Sequence, residues 1–430
     1  MDEWFFFVTL IVVTFFFLKL VTLPPSFFKT HFKSIVILGF VLRILCFLIP
    51  PIWEDDWARY LWEGHLIRQS ISPYEIPPIE FFGDSSLDQF TNAILSQVNH
   101  PEWTTIYSPF VLVYFSLFTY GFSTFLLKLS YFVFESISFL SVTDKHHAKP
   151  ILLYWTCPIL IKEVYVNLHF EILIVSFFWL YIQFLKQKQW KRSAFTLGMM
   201  VHTKFFAILY GAVIIPYFLL LKRRQIFLSL LSFFGSAIAG FSLFYILYLL
   251  IFPETKDFGF SNLHRFGDTF TFNQFFEPVW SFFHTINLRS FPFLFSFILL
   301  FVYVYLLLPS KNRGKRFLVL CKQYQFLFYF GYFLLTILPV YNPWYFLTLI
   351  PLISMFPSKN ITPWVLIFSL QLSYLTNVRL LLPFQHFYEI STPILLLEAS
   401  ISITCILQYF KQLFILLYNL SNISNIASKG

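Results

Sequence analysis

From one end of the chain to the other, apolar runs of roughly 15 to 25 residues recur, the length a helix needs to cross about 30 Å of hydrocarbon. They lie near 4–22, 34–51, 107–127, 130–142, 151–166, 171–185, 193–221, 226–252, 291–308, 318–340, 343–356, 361–382 and 391–410. Some are short or interrupted, so the pattern predicts an all-α, polytopic transmembrane protein of about 10 to 13 spans. Composition closes off the soluble alternative, because 58% of the 430 residues are apolar, 62 are Phe and only 12% are charged. Such a chain lacks the polar surface to cover a water-exposed fold, whereas lipid requires only that backbone hydrogen bonds close within helices. The whole of 1–430 reads as a single integral membrane domain, without a soluble domain, a linker or a repeat of fixed period. The first run follows Asp2 and Glu3, with no basic segment before it and no small-residue cleavage site, so it is expected to be a retained span rather than a signal peptide.

The charges orient this bundle. Thirty Lys and Arg against 21 Asp and Glu give +9, an excess read as cytoplasmic loop anchoring rather than as nucleic-acid binding. Basic clusters at Lys29/Lys33, Lys186–Arg192, Lys222–Arg224 and Lys311–Arg316 mark cytoplasmic loops and leave 53–106, 253–290 and 383–390 on the other side. The run 193–221 has basic clusters at both ends yet is too short for two crossings. A broken or re-entrant pair turning near His202, Thr203 and Lys204 resolves the conflict, and irregular backbone at that depth must line a protein cavity. The four cysteines, Cys46, Cys157, Cys321 and Cys405, lack CxxC spacing and read as packed thiols, with neither a disulfide framework nor a zinc site.

The polar stretch 53–106, the longest in the chain, opens with Glu54-Asp55-Asp56-Trp57-Ala58-Arg59-Tyr60-Leu61-Trp62-Glu63-Gly64. On a helix, Asp55, Arg59 and Glu63 share one face and Asp56 lies around the corner, so one carboxylate is expected to be held by Arg59 while the other is available as a base. Desolvation at a lipid boundary raises a carboxyl pKa, which suits that role. The plainer alternative is an interfacial amphipathic helix anchored by Trp53, Trp57 and Trp62.

Further ionisable groups beside apolar runs are Lys162-Glu163 with Asn167-Leu168-His169-Phe170-Glu171, His202-Thr203-Lys204, and His264-Arg265 with Asn273 and Gln274. Each alone fits a snorkelling or capping side chain. Together they place both signs of charge on the non-cytoplasmic face. That combination suits deprotonation of an acceptor hydroxyl and stabilisation of a phosphate leaving group. Neither GxGxxG nor GxxxxGK[ST] occurs, so a lipid-carried phosphate is a better donor than a soluble nucleotide.

The run Asp55-Asp56-Trp57-Ala58-Arg59-Tyr60-Leu61-Trp62-Glu63-Gly64, followed by Ile71-Ser72-Pro73-Tyr74, resembles the DDxxRYxWDG…NPY pattern in the first outer loop of GT-C superfamily glycosyltransferases. The likeness is strongest to the bacterial mannosyltransferases that use polyprenyl-phosphate-mannose. Asn99-His100-Pro101 and Tyr107-Ser108-Pro109 are similar to that group's NHP and YPP elements, and Cys157-Pro158, Lys162-Glu163 and Asn167–Glu171 to its NP…KE…NGHxD segment. Thr203-Lys204-Phe205-Phe206 resembles its tKf element, and Asn342-Pro343-Trp344-Tyr345-Phe346 its HPWYL element. The likeness covers most of 50–350. Glu63, Ser72, Ser108, Cys157, Leu168 and Glu171 stand where the pattern has Asp, Asn, Pro, Asn, Gly and Asp.

This resemblance implies a GT-C-like fold with its site facing the extracytoplasmic side. It also implies inverting transfer of mannose or another hexose from a polyprenyl-phosphate donor to a glycan, lipid or protein acceptor. An Asp of the pair serves as base: Asp55 by position, with Asp56 as the alternative or as an acceptor-orienting partner. The implied substrate-binding set is Arg59, Tyr60, Trp62, Glu63, Tyr74, His100, Tyr107, Lys162, Glu163, Asn167, His169, Glu171, Lys204, Trp344 and Tyr345, joined by position by Arg265 and Asn273 of the second outer loop. Lys204, His169 and Arg265 are the expected donor-phosphate contacts. No cofactor is expected. Asp and Glu could hold a divalent cation, but the pair lacks a second carboxylate cluster at ligand spacing, so activity is expected to resist EDTA. The competing reading is a transporter or lipid flippase that uses the same charges as a substrate pathway, and it predicts inverted repeats and mid-span polar residues that the sequence lacks.

Overall fold

The computed structural model describes residues 3–52, 55–143, 148–214, 223–269, 313–336, 340, 342–354, 361–372 and 396–408. The fold is all-helical, with no strand among the described residues. Among the described residues, two helical stretches, Thr124–Val142 and Leu231–Ile251, are long and apolar enough to cross a membrane. Only 11% of the second is buried, and Leu231, Phe234, Ile238, Ile246 and Leu250 are exposed. The helix Glu3–Thr22 likewise exposes Val8, Ile11, Val12, Phe15 and Phe16 on one stripe while it buries Phe17 and Val21. In water, apolar surface this continuous drives association. Lipid solvates it directly.

Several apolar runs fold differently from a simple span. The predicted span 107–127 is a ten-residue helix, Pro109–Phe118, that ends in a turn through Tyr120–Phe122 with Gly121 at φ 62. The next helix then begins earlier than expected, at Thr124, because the Ser123 hydroxyl accepts the Leu126 N–H at 3.1 Å and caps it. The predicted span 151–166 is broken at Cys157, held extended at ψ 113 before Pro158, so that two short helices, Ala148–Trp155 and Pro158–Ile161, replace one. A wide π turn over Lys162–Val166 follows, and the chain reverses through 167–171 into Ile172–Lys186. The run 193–221 breaks where expected. Helix Trp190–Thr203 stops at Lys204, which is extended at φ −150 and ψ 132, and a 3-10 segment, Phe205–Ile214, continues. The predicted span 291–308 lies outside the described residues.

Ile172–Lys186 is the central helix, buried along nearly its whole length and packed against Thr124–Val142 and Trp190–Thr203. Trp190–Thr203 crosses Arg223–Ile251 at backbone contact. A Cβ on Gly198 would strike the Ala237 carbonyl and one on Gly240 the Phe195 carbonyl, so only glycine permits this approach.

One polar cluster in the interior carries no motif and corrects the expectation that polar residues are lacking at mid-span, because Arg43 and Glu135 fall inside the predicted spans 34–51 and 130–142. Arg43 and Glu135, both fully buried, form a bidentate pair with Nε to Oε2 at 2.7 Å and Nη2 to Oε1 at 2.6 Å. The hydroxyls of Tyr154 (2.8 Å) and Tyr165 also donate to the carboxylate. The guanidinium stacks 3.6 Å from the centre of the Trp155 ring and donates to the carbonyls of Trp155 (2.7 Å) and Gly39 (3.0 Å). Every nitrogen and oxygen of the pair is thereby engaged, and the four helical segments that supply these groups are tied together.

Candidate functional site

The polar stretch after Pro51 folds around one helix, Asp56–Arg68, with Asp55 at its N-cap. Two carboxylates at this end face the positive pole of the helix dipole. The helix lies close against Pro109–Phe118 because residue 64 is glycine: a Cβ there would sit 2.7 Å from the Phe115 carbonyl oxygen and collide with Thr119 Oγ1. Arg68 fastens the far end, donating to the Ser116 carbonyl at 2.8 Å and to Thr119 Oγ1 at 3.1 Å.

The two carboxylates are not directed apart, as expected from their helical positions, but converge. Asn99 Nδ2 donates to Asp55 Oδ1 at 3.0 Å and to Asp56 Oδ1 at 2.8 Å. The Tyr60 hydroxyl reaches Asp56 Oδ2 at 3.4 Å. Arg59 holds neither aspartate, which corrects the second expectation. Its guanidinium donates to Glu63 Oε1 at 3.2 Å, to Asn99 Oδ1 at 3.1 Å and to the carbonyls of Asn99, His100 (2.8 Å) and Trp103 (3.3 Å). Because Asp55 sits at the cap rather than within the helix, the regular i,i+4 spacing does not govern its side chain, and the loop at 99–103 supplies the missing partner.

Desolvation raises the Asp56 carboxyl above the usual carboxylate range, reinforced by the Asp55 charge and opposed by the Asn99 hydrogen bond and the charges of Arg59 and Lys204. Burial likewise pushes Glu63 up to about 7, against the pull of Arg59 and of the Thr105 hydroxyl, which donates to Oε2 at 2.7 Å. A carboxyl whose folded pKa exceeds its unfolded value of 4.5 adds stability below pH 4.5 and loses that contribution as pH rises through about 7. Glu63→Gln, which keeps the acceptor oxygen and removes the titration, is therefore expected to gain thermal stability relative to the wild type as pH rises from 5 to about 8. Melting curves of both proteins across that range check it, and a constant difference between them would contradict the argument.

Below the acid pair lies an aromatic floor. Tyr60 packs on Phe115 (4.6 Å between ring centres), Tyr107 (5.6 Å) and Phe170 (5.7 Å). Glu171 follows Phe170 and is ion-paired with Lys204, whose ammonium lies 4.2 Å over the Tyr345 ring and 5.0 Å over Phe170. The helix break leaves Lys204 outside the regular backbone and free to reach this corner. Behind it, His169 stacks on Trp344 at 4.2 Å with both ring nitrogens buried and without a hydrogen bond. Its Nε2 lies 3.7 Å from Glu163 Oε2, which Asn167 Nδ2 also approaches at 2.8 Å. Lys162 bridges Glu163 and Gln371, at 2.9 Å each.

Most of the predicted site residues that are described lie in or beside this region, and they divide into two kinds. Asp55 is exposed, and Asp56, Tyr107, Lys162, Lys204 and Tyr345 keep part of their surface open. Arg59, Tyr60, Glu63, Glu163, Asn167, His169, Glu171 and Trp344 are buried, and in this arrangement they hold the frame rather than offer surface to a substrate. Trp62 belongs to a separate core with Ala58, Leu66, Leu95 and Val98, beneath the outer loop. Tyr74 braces the loop by donating to the Tyr107 carbonyl at 2.6 Å. His100, at φ 46, serves through its carbonyl on Arg59. Arg265 is exposed, with its guanidinium 4.7 Å over the Trp103 ring. Asn273 lies outside the described residues. His202, next to the break, packs among Phe110, Phe241, Phe244 and Tyr245, a set that shares no residue with the contacts of Lys204.

Sequence reasoning missed two participants. Asn99 was visible as part of the Asn-His-Pro element, whose role was assigned to its neighbour His100. Gln371 had no signal, because nothing in an apolar run shows that its single amide meets Lys162. Among the described residues, no group of three or more His, Cys, Asp or Glu is placed to hold a metal ion. Compared with protein-family models, with curated proteins and with solved structures, the chain matches none.

Proposed function

We propose that the protein is a polytopic membrane glycosyltransferase with a GT-C-like fold of about 10 to 13 spans. In this reading it transfers mannose or another hexose from a polyprenyl-phosphate donor to an acceptor hydroxyl on the extracytoplasmic face. The observation that carries the reading is the convergence of the acid pair Asp55/Asp56 with Lys204, Tyr107 and Tyr345 around one partly open aromatic corner. Asp55 takes the acceptor proton. It is the more exposed of the two, and among the described residues only its Oδ1 is engaged, whereas Asp56 has both oxygens bonded and orients the acceptor. The acceptor oxygen attacks the anomeric carbon as the carbon–oxygen bond to phosphate breaks on the opposite side, which inverts configuration. Lys204 stabilises the departing lipid phosphate. The aromatic rings give the sugar apolar faces to lie against.

Leu168 adds local support. It stands where the resembled pattern has glycine, and its backbone is left-handed at φ 69, a conformation glycine adopts without strain and leucine rarely does. A glycine would fit this turn without strain, which is in keeping with the resemblance.

The test is transfer of radiolabelled sugar from polyprenyl-phosphate-mannose, and from the glucose and arabinose analogues, by membranes containing the protein, with and without EDTA. Transfer that persists in EDTA is the expected result. No transfer from any lipid donor, with a range of glycan, lipid and peptide acceptors, would favour the transporter reading, in which Lys162, Glu163 and Gln371 extend the charged path inward.

A further inference from the structure

Among the described residues, Asn99 is the one that hydrogen-bonds both to Arg59 and to the acid pair. Its Oδ1 accepts from Arg59 Nε at 3.1 Å, and its Nδ2 donates to Asp55 Oδ1 at 3.0 Å and Asp56 Oδ1 at 2.8 Å. A guanidinium has only donors and an ionised carboxylate only acceptors, so a single orientation of the amide satisfies both sides, and the flipped amide would fail at all three contacts. The orientation is secured twice over. Arg59 is itself immobilised by Glu63 and by the carbonyls of Asn99, His100 and Trp103, and Glu63 is locked in turn by Thr105.

We infer that Asn99 is the positioning residue of the acid pair: its oriented amide gathers Asp55 and Asp56 side by side on one NH2 group, and leaves the second oxygen of Asp55 directed at the acceptor. Two carboxylates this close repel one another, and a shared donor offsets part of that repulsion. The other charged or titratable groups around the pair are Arg59, Tyr60 and Glu63 on the same helix, Tyr107 on the returning loop, and Glu171 and Lys204 at the helix break. None of these hydrogen-bonds to both aspartates, and among the described residues Asn99 alone does. The downward pull of its hydrogen bond on the Asp56 carboxyl agrees with this placement. What the pair does rests on the glycosyltransferase reading, whereas the clamp does not.

The experiment is labelling of the purified full-length protein with dicyclohexylcarbodiimide, which reacts with protonated carboxyls. Labelling of Asp55 and Asp56 is followed by peptide mass spectrometry from pH 4 to 9 in wild type, Asn99→Ser and Asn99→Asp. Serine keeps one donor, and aspartate keeps the acceptor for Arg59 while removing both donors. The labelling midpoint of Asp56 is expected to move to higher pH by about one unit in Asn99→Ser and further in Asn99→Asp. Identical midpoints in all three folded proteins would overturn the clamp, whatever the protein catalyses. Should Asn99→Asp fail to fold, Asn99→Ser alone decides. In transfer assays the acid limb of the Asn99→Ser rate profile should shift upward in parallel, with the donor KM unchanged. A labelling shift in a protein that transfers nothing leaves the clamp standing and removes the glycosyltransferase reading. Transfer without any labelling shift does the reverse.

Discussion

If the protein is the glycosyltransferase proposed above, Asp55→Asn is expected to lower sugar transfer by about 10²–10⁴-fold, with expression and detergent elution unchanged, the range lost when a general base is removed. The substitution keeps size and shape. It preserves the carbonyl oxygen that Asn99 Nδ2 reaches at 3.0 Å and removes only the ability to take a proton. The residue is exposed at the helix cap, so the change exerts little leverage on folding. Asp56→Asn has a different signature. Both oxygens of Asp56 are engaged, one by Asn99 and one by Tyr60, so its loss disturbs acceptor orientation and raises the acceptor KM more than it lowers kcat. Steady-state kinetics of the two variants against a common donor separate the roles. If Asp56→Asn is the inactive one and Asp55→Asn keeps wild-type kcat, the assignment of the base is reversed.

Glu135→Leu destabilises the fold by roughly 3–5 kcal/mol, the cost of leaving a buried partner charge uncompensated. Arg43 would lose both arms of its bidentate pair at 2.6 and 2.7 Å while remaining fully buried, and the hydroxyls of Tyr154 and Tyr165 would lose their acceptor. Combining Glu135→Leu with Arg43→Leu removes both charges and is expected to recover much of that loss, because a buried ion pair contributes little over apolar packing once its own desolvation is counted. Thermal unfolding of the single and double variants in one detergent reads the coupling directly. Additive losses, with the double variant worse than either single one, would show that Arg43 and Glu135 act through separate contacts.

The sequence made legible what depends on composition and on short-range order. A chain with 58% apolar residues and 12% charged ones has to be helical and to carry apolar surface outward, and the structure is all-helical with long exposed apolar stripes. The break at Lys204 was legible because basic clusters at both ends of 193–221 left no length for two crossings. The run from Asp55 to Gly64 was legible because its charges follow one another within a single helix. Span boundaries were less so: Gly121, Ser123 and Pro158 cut apolar runs into shorter helices, and hydropathy does not see a cap or a turn.

Tertiary structure decided how the charges are shared. The spacing of Asp55, Arg59 and Glu63 along the chain paired Arg59 with an aspartate, yet the returning loop brought Asn99 and three backbone carbonyls into reach and gave Arg59 to Glu63 instead. The ion pairs Arg43–Glu135 and Lys204–Glu171 join residues far apart in sequence, so no local pattern announces them. The physical reason is the range of the forces. Hydrophobic content and helix periodicity act within a few turns and are written in order along the chain. The partner that neutralises a buried charge is whichever group packing delivers to within about 3 Å, and only the folded arrangement fixes which group that is.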